Sequence, residues 1–245
     1  MSGARALSEE SPTGTESLTA TAKTERRFAL ILLAAFLLVT LPVTLHHEMW
    51  RDEIQAWLLA RDAVSLRELF HLLHYEGHPS LWYLLLRPVA RVVRDPRWIQ
   101  PIALLLSCCT VYLFARFAPF SRLIRVLFAF GYFVVYGWTI VARSYGLGLT
   151  LAVLLCVLLA RPKPRYGIAA TVMALLANTS VYGSMIVVAC GIGLAADALF
   201  ANSGAARRER IRRVALPVLV GAAAVLLAAA QVRPASDNPF FGPGL

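Results

Sequence analysis

"HPSLWYLLLRPVARVVRDPR", residues 78 to 97, decides how this chain folds. It is apolar enough to be drawn as a membrane helix, yet four arginines lie within it. Each would cost about 2.5 to 3.5 kcal/mol at the centre of a bilayer. On a helical wheel Arg87, Arg91 and Arg94 share one face, and Leu81, Leu85, Val89 and Val92 share the opposite one. That pattern predicts an interfacial helix lying on the membrane rather than crossing it. Pro79 suits the first turn of such a helix, and Pro88 predicts a kink in its middle.

The rest of the chain demands a membrane. Of its 245 residues 58% are hydrophobic and only 16% charged, with a mean hydropathy of +0.64. A soluble domain keeps about a quarter of its residues charged. The formal net charge of +10, from 24 Lys and Arg against 14 Asp and Glu, would suggest nucleic acid in a soluble protein. Here the arginines sit in short clusters between apolar runs, as in cytoplasmic loops that touch lipid head groups. Membrane lipid is therefore an expected partner and nucleic acid is not. Cys108, Cys109, Cys156 and Cys190 all lie inside apolar runs and read as small core residues of helices rather than as disulfides or metal ligands.

Uncharged stretches of spanning length run from Phe28 to Leu45, Trp98 to Ala115, Val126 to Ala142, Ser144 to Ala160 and Val214 to Val232. Between Tyr166 and Phe200 only Asp197 is charged, and the polar break "NTSVYG" at 178 to 183 divides that stretch into a hairpin of two short helices. Charge parity fixes direction, because basic loops face the cytoplasm. With Lys23, Arg26 and Arg27 inside, "RPKPR" at 161 to 165 and "RRERIRR" at 207 to 213 are inside too. The reading is seven spans in an all-α membrane protein. A cytoplasmic, disordered tail over 1 to 24 precedes a transmembrane module over 25 to 232, whose external loop covers 46 to 97, and an external tail follows over 233 to 245, the chain being either a minimal form or a truncated one. Asp197 is expected to pair with an arginine of "RRERIRR". The Asn178 sequon, in a tight turn, carries no function.

Within the external loop Trp50, Ile54, Trp57 and Leu58 recur at helical spacing. They predict a second amphipathic interfacial helix with Asp52 and Glu53 at its start, where acids complement the helix dipole and tryptophans anchor at head-group level. "SLRE" at 65 to 68 is a capping box that opens a third helix, ending at Gly77. The loop thus gathers external acids, Asp52 and Glu53, near external cations, Arg87, Arg91, Arg94 and Arg143. Arginines that hold a phosphate beside a carboxylate that accepts a proton make a transfer site. His71 and His74 lie one turn apart without a Cys or acid to complete a zinc pattern. His78, before the interfacial helix, is placed to bond substrate or orient an acid. A divalent ion, Mg or Mn, held by Asp52 is the one cofactor these residues leave open.

"WRDE" at 50 to 53, "GHPSLWYLLL" at 77 to 86 and "ARSYGLGL" at 142 to 149 follow one another on the external side. In that order they resemble the GT-C superfamily of membrane glycosyltransferases, which use polyprenyl-phosphate sugars and include the protein mannosyltransferases and the lipid A aminoarabinose transferases. The resemblance implies a module of seven transmembrane helices with juxtamembrane helices in the first external loop. It implies catalysis by Asp52 as general base with Glu53 as its neighbour, and binding of a polyprenyl-phosphate sugar donor by His78, Arg87, Arg91, Arg143 and Tyr145. "YGWTIVARSYG" at 136 to 146 carries no acid where many members place a second one. Two other classes compete with an enzyme of the cell envelope. One is a non-catalytic lipid-phosphate-binding subunit or fragment; the other is a transporter or flippase, against which the scarcity of intramembrane charge speaks.

Overall fold

The computed structural model describes residues 14–200 and 204–234, with the side chains of 14–20 left undescribed. Ten α-helices follow in chain order: α1 Gly14–Leu45, α2 Arg51–Asp62, α3 Leu66–Leu73, α4 Leu81–Val92, α5 Ile99–Phe117, α6 Arg122–Ala129, α7 Ser144–Leu159, α8 Tyr166–Ala177, α9 Val181–Leu199 and α10 Gly204–Gln231. A 3₁₀ turn, Pro96–Trp98, leads into α5, and a π-helical segment, Phe133–Ile140, lies between α6 and α7. Among the described residues there is no strand. The helix α1 begins inside the stretch read as a tail; residues 1–13 of that tail and 235–245 of the C-terminal one lie outside the described residues.

Among the described residues five stretches are long and apolar enough to cross a membrane: Thr21–Leu45, Pro96–Phe117, Arg122–Ile140, Val181–Leu199 and Gly204–Gln231. The apolar helices α7 and α8 are shorter, at 16 and 12 residues. At 1.5 Å per residue, α8 reaches only about 18 Å, against a hydrocarbon core of about 30 Å.

The helices of the loop after α1 are part of the main core. Trp57 of α2, Leu69 and Leu73 of α3, Trp82 and Leu86 of α4, Leu155 of α7 and Met173 and Leu176 of α8 are buried in one cluster. A second cluster joins α1, α5, α6 and the π-helical segment through Phe36, Val111, Ala129 and Val134. Trp57 is fully buried, so of the two tryptophans expected as head-group anchors only Trp50 is exposed.

The orientation of α4 departs from the expected one at Arg87, which is buried while Arg91 and Arg94 of the same face are exposed. Its buried face is Trp82, Tyr83, Leu86, Arg87 and Ala90, while Leu85 and Val92 point outward. An amphipathic helix turns its apolar side to the core only where water is outside. Beside lipid, aliphatic side chains lose nothing by facing out, and arginine is the group that needs protein around it. Pro88 lies inside the helix as expected, but Pro79 precedes it: the helix starts after Ser80. The cysteines correct another expectation. All four are free, on α5, α7 and α9, and none is buried; Cys109 and Cys156 are exposed.

Hydrogen bonds tie distant parts of the chain together at the end that carries α4. Leu81 N donates to Asn178 O over 3.2 Å, Ser80 N to Gln231 Oε1 over 2.9 Å, and His74 Nδ1 to Arg233 O over 2.7 Å. Gln231 Nε2 donates in turn to the Asn178 side-chain oxygen. Elsewhere, Glu25 accepts from Arg122 and Arg125 at 2.9 and 2.6 Å. Asp197 pairs with Arg210 at 3.0 Å, as expected.

Candidate functional site

The chain leaves α1, extends through Trp50 and opens α2 with two acids in its first turn. Neighbours on a helix point about 100° apart, so Asp52 and Glu53 have different surroundings. Glu53 is wholly buried and accepts four hydrogen bonds. Its Oε2 receives Trp50 N at 2.8 Å and His47 Nε2 at 2.9 Å; its Oε1 receives Gln100 Nε2 and Ala142 N, both at 2.8 Å. A buried carboxylate is tolerable when its lone pairs are filled in this way. The bond to Ala142 also draws the extended segment 141–143 against the start of α2.

Arg143 is thereby set opposite Asp52, with Nη2 3.2 Å from Asp52 Oδ2. Its guanidinium lies over the Tyr145 ring, 5.2 Å from the centroid. Asp52 itself is half exposed. Both side chains line a cleft of about 220 Å³ together with Gln55, Glu76, His78 and Tyr83. Gly77, at φ 67°, makes the left-handed turn that lets Glu76 and His78 line the same cleft. Glu76 accepts from Gln55 Nε2 at 2.5 Å and, more weakly, from Tyr83 OH at 3.5 Å. Burial, and then Glu76, push the Tyr83 phenol well above its ordinary range. Burial pushes the His78 imidazole down, Arg143 adds to that and Asp52 partly opposes it. Neutral imidazole is therefore the favoured form at neutral pH. His78 Nδ1 and the indole Nε1 of Trp82, another cleft residue, are buried without a protein partner.

On the other side of Arg143 lies an apolar groove of about 570 Å³. The π-helical segment supplies Phe133, Tyr136 and Trp138, with Trp50, Tyr145 and Tyr182 completing an aromatic lining. The π-helix is held by Thr139 Oγ1 donating to Val134 O and Val141 N to Tyr136 O. Such segments are rare and recur at functional sites. The first turn of α7 packs closely on it, since a Cβ on Gly146 would stand 2.8 Å from Trp138 O. Arg143 belongs to the walls of both cavities.

Of the residues singled out from the sequence, Asp52, His78, Arg143 and Tyr145 come together. Arg87 and Arg91 do not join them. Arg87 donates to Ala60 O and Ala63 O at 3.1 and 2.9 Å, and Arg91 to Ala63 O and Val64 O, both at 3.0 Å. Those carbonyls belong to the far end of α2, which would otherwise leave acceptors unfilled. Glu53 lies beside the site but spends both oxygens on internal donors. Glu76, Gln55, Trp82, Tyr83 and the aromatic groove escaped the sequence reading. The signal for Glu76 was its place in "YEGHP", two residues before His78 across a turn-forming glycine. A resident Mg or Mn ion finds a poor donor set: among the described residues no three His, Cys, Asp or Glu side chains are arranged so that they could hold a metal ion. Asp52 is already paired with a cation, so no step below passes through a metal. No protein-family model matches the chain, and no curated protein or solved structure matches it either.

Proposed function

We propose that this chain is a GT-C-like membrane glycosyltransferase that moves a sugar from a polyprenyl-phosphate donor to an acceptor hydroxyl or amine on the external, periplasmic side. The observation that carries the reading is the meeting of an apolar aromatic groove and an acidic cleft at one arginine, Arg143. An isoprenoid chain suits the groove, its phosphate suits the guanidinium, and the reacting sugar then falls beside Asp52. In the donor-free protein Arg143 is paired with Asp52; a phosphate, which takes guanidinium in two parallel bonds, competes for it. Asp52 is released as a base when the donor arrives. The acceptor oxygen or nitrogen attacks the anomeric carbon, the bond from that carbon to the phosphate oxygen breaks, and the phosphate leaves with the electron pair against Arg143. Asp52 takes the acceptor's proton. Attack from the side opposite the phosphate inverts the anomeric centre. Glu53 positions the site through Ala142, and His78 and Tyr145 contact substrate.

Seven passes, with the N-terminus cytoplasmic, accompany this reading. The hydrogen bonds that join residues 80–81, 178 and 231, and residue 74 with 233, at one end support it, as does the basic character of 161–165 and 207–213. The test is native mass spectrometry of protein purified in mild detergent. Wild type should carry a polyprenyl phosphate or its sugar-loaded form, and Arg143→Ala should lose it. Asp52→Asn should keep the loaded lipid while conversion to bare polyprenyl phosphate slows by about 10²- to 10⁴-fold. Folded wild type without such a lipid, or full turnover in Asp52→Asn, would overturn the reading.

A further inference from the structure

We infer that the cleft beside Asp52 is a subsite for a single neutral or amino-bearing polyhydroxylated ring, with Glu76 and Trp82 as the residues that set this specificity. The inference rests on the transferase reading for its place in a reaction, but its observations are separate. The cleft, at about 220 Å³, is smaller than the roughly 300 to 1,000 Å³ that drug-sized ligands take, so one ring fits and an extended oligosaccharide does not. Tyr75, Trp82 and Tyr83 are among its lining residues. Aromatic faces are electronegative and accept the weakly positive C–H faces of a saturated ring.

The polar groups of the cleft are complementary to hydroxyls and unfilled by the protein. Trp82 is only 2% exposed, and its indole N–H has no partner. An orphan of this kind is costly unless a ligand meets it. His78 Nδ1 is buried in the same condition. Trp57 Nε1 and Gln100 Oε1 are also without partners but do not line the cleft. Glu76 contrasts with the saturated Glu53: it has one short hydrogen bond, from Gln55, where a carboxylate has about four acceptor sites. The remaining sites suit two vicinal hydroxyls or an ammonium.

Charge sets the specificity. Asp52 and Glu76 face the cleft against the single cation Arg143, and a bound lipid phosphate neutralises that cation. A ring bearing its own carboxylate would then meet two carboxylates with no free counter-charge.

The full chain in lipid nanodiscs that contain a polyprenyl phosphate provides the test, by saturation-transfer NMR. The probes are the methyl glycosides of glucose, galactose, mannose, arabinose and glucosamine, with glucuronate and galacturonate as anionic counterparts. At least one neutral or amino glycoside should give a signal fivefold or more above either uronate. Trp82→Phe, which keeps the flat face and removes the N–H, should weaken that signal about fivefold, the worth of one hydrogen bond. Glu76→Gln should narrow the gap between neutral and anionic rings at least threefold, a change in ratio that loss of packing alone would not produce. Silence from every neutral and amino glycoside, uronates binding as well as neutral rings, or an unchanged ratio in Glu76→Gln at unaltered melting temperature would each overturn the inference. Polyprenyl phosphate retained by Arg143 with no ring bound would remove the subsite alone. A ring bound through Glu76 with no lipid phosphate would leave the subsite and remove the transferase.

Discussion

The two ends of α2 both meet arginines and use them in opposite ways. At its C-terminal end Arg87 and Arg91 are spent on the backbone carbonyls of Ala60, Ala63 and Val64, where positive charge also complements the negative end of the helix dipole. At its N-terminal end Arg143 holds a half-exposed carboxylate that can be exchanged for another anion, and it borders two cavities. An arginine buried on carbonyls has no reason to let go. An arginine shared between a side chain and open space does. Proximity in the sequence to an acid therefore says less about a binding role than the identity of the partner.

Glu53 offers the sharpest way to break this comparison, because it belongs to the Arg143 end by position and to the structural kind by bonding. Glu53→Ala leaves Trp50 N, His47, Gln100 and Ala142 N without their acceptor. By analogy with the loss of one partner from a buried ion pair, the expected destabilisation is about 3 to 5 kcal/mol, read as a large fall in melting temperature in detergent. Glu53→Gln should fall between, since one oxygen remains but an N–H₂ then faces donors. If instead Glu53→Gln melts like wild type and loses turnover, Glu53 is a catalytic acid and the division drawn here fails.

The arginines of α4 test the other end. Arg87 is buried and makes two charge-assisted bonds, so Arg87→Ala should cost about 2 to 4 kcal/mol. Arg91 is exposed on the same face and should cost less than about 1 kcal/mol when truncated. Both variants should retain whatever lipid phosphate wild type carries once the melting difference is allowed for. Loss of that lipid from Arg91→Ala at unchanged stability would return the α4 arginines to the binding site.

These arginines also mark where sequence reading stops. The apolar runs, the helical loop after the first of them and the acid pair at the start of α2 were legible because hydropathy and helix-start chemistry are local properties. The burial of Arg87 was not, since a helical wheel shows which residues share a face but not what that face meets. The break of the third span into α6 and a π-helix was equally hidden, because "FVVYGWTI" is apolar in either geometry. Glu76 reaches the site only through contacts such as that with Gln55, 21 residues away in the chain, and the Glu53 bond to Ala142 spans 89. Pairings at such separations leave no periodic trace.

The smallest expected effect is a difference in pH response between the two ends. His78 has its imidazole pKa held below the ordinary 6.5 by burial, with Arg143 contributing and Asp52 opposing. Between the depressed folded value and 6.5 the unfolded chain binds more protons than the folded one, so stability rises with pH there. The contribution is complete above about 6.5 and is lost as pH falls through the folded value. Melting temperatures of wild type and His78→Gln, followed from pH 7.5 to 5, should diverge on the acid side, with wild type falling further. An Arg91→Ala control should run parallel to wild type, because the carbonyls it loses do not titrate. Parallel curves for His78→Gln would mean that the imidazole is already solvated, and the cleft wetter and less selective than its orphan donors imply.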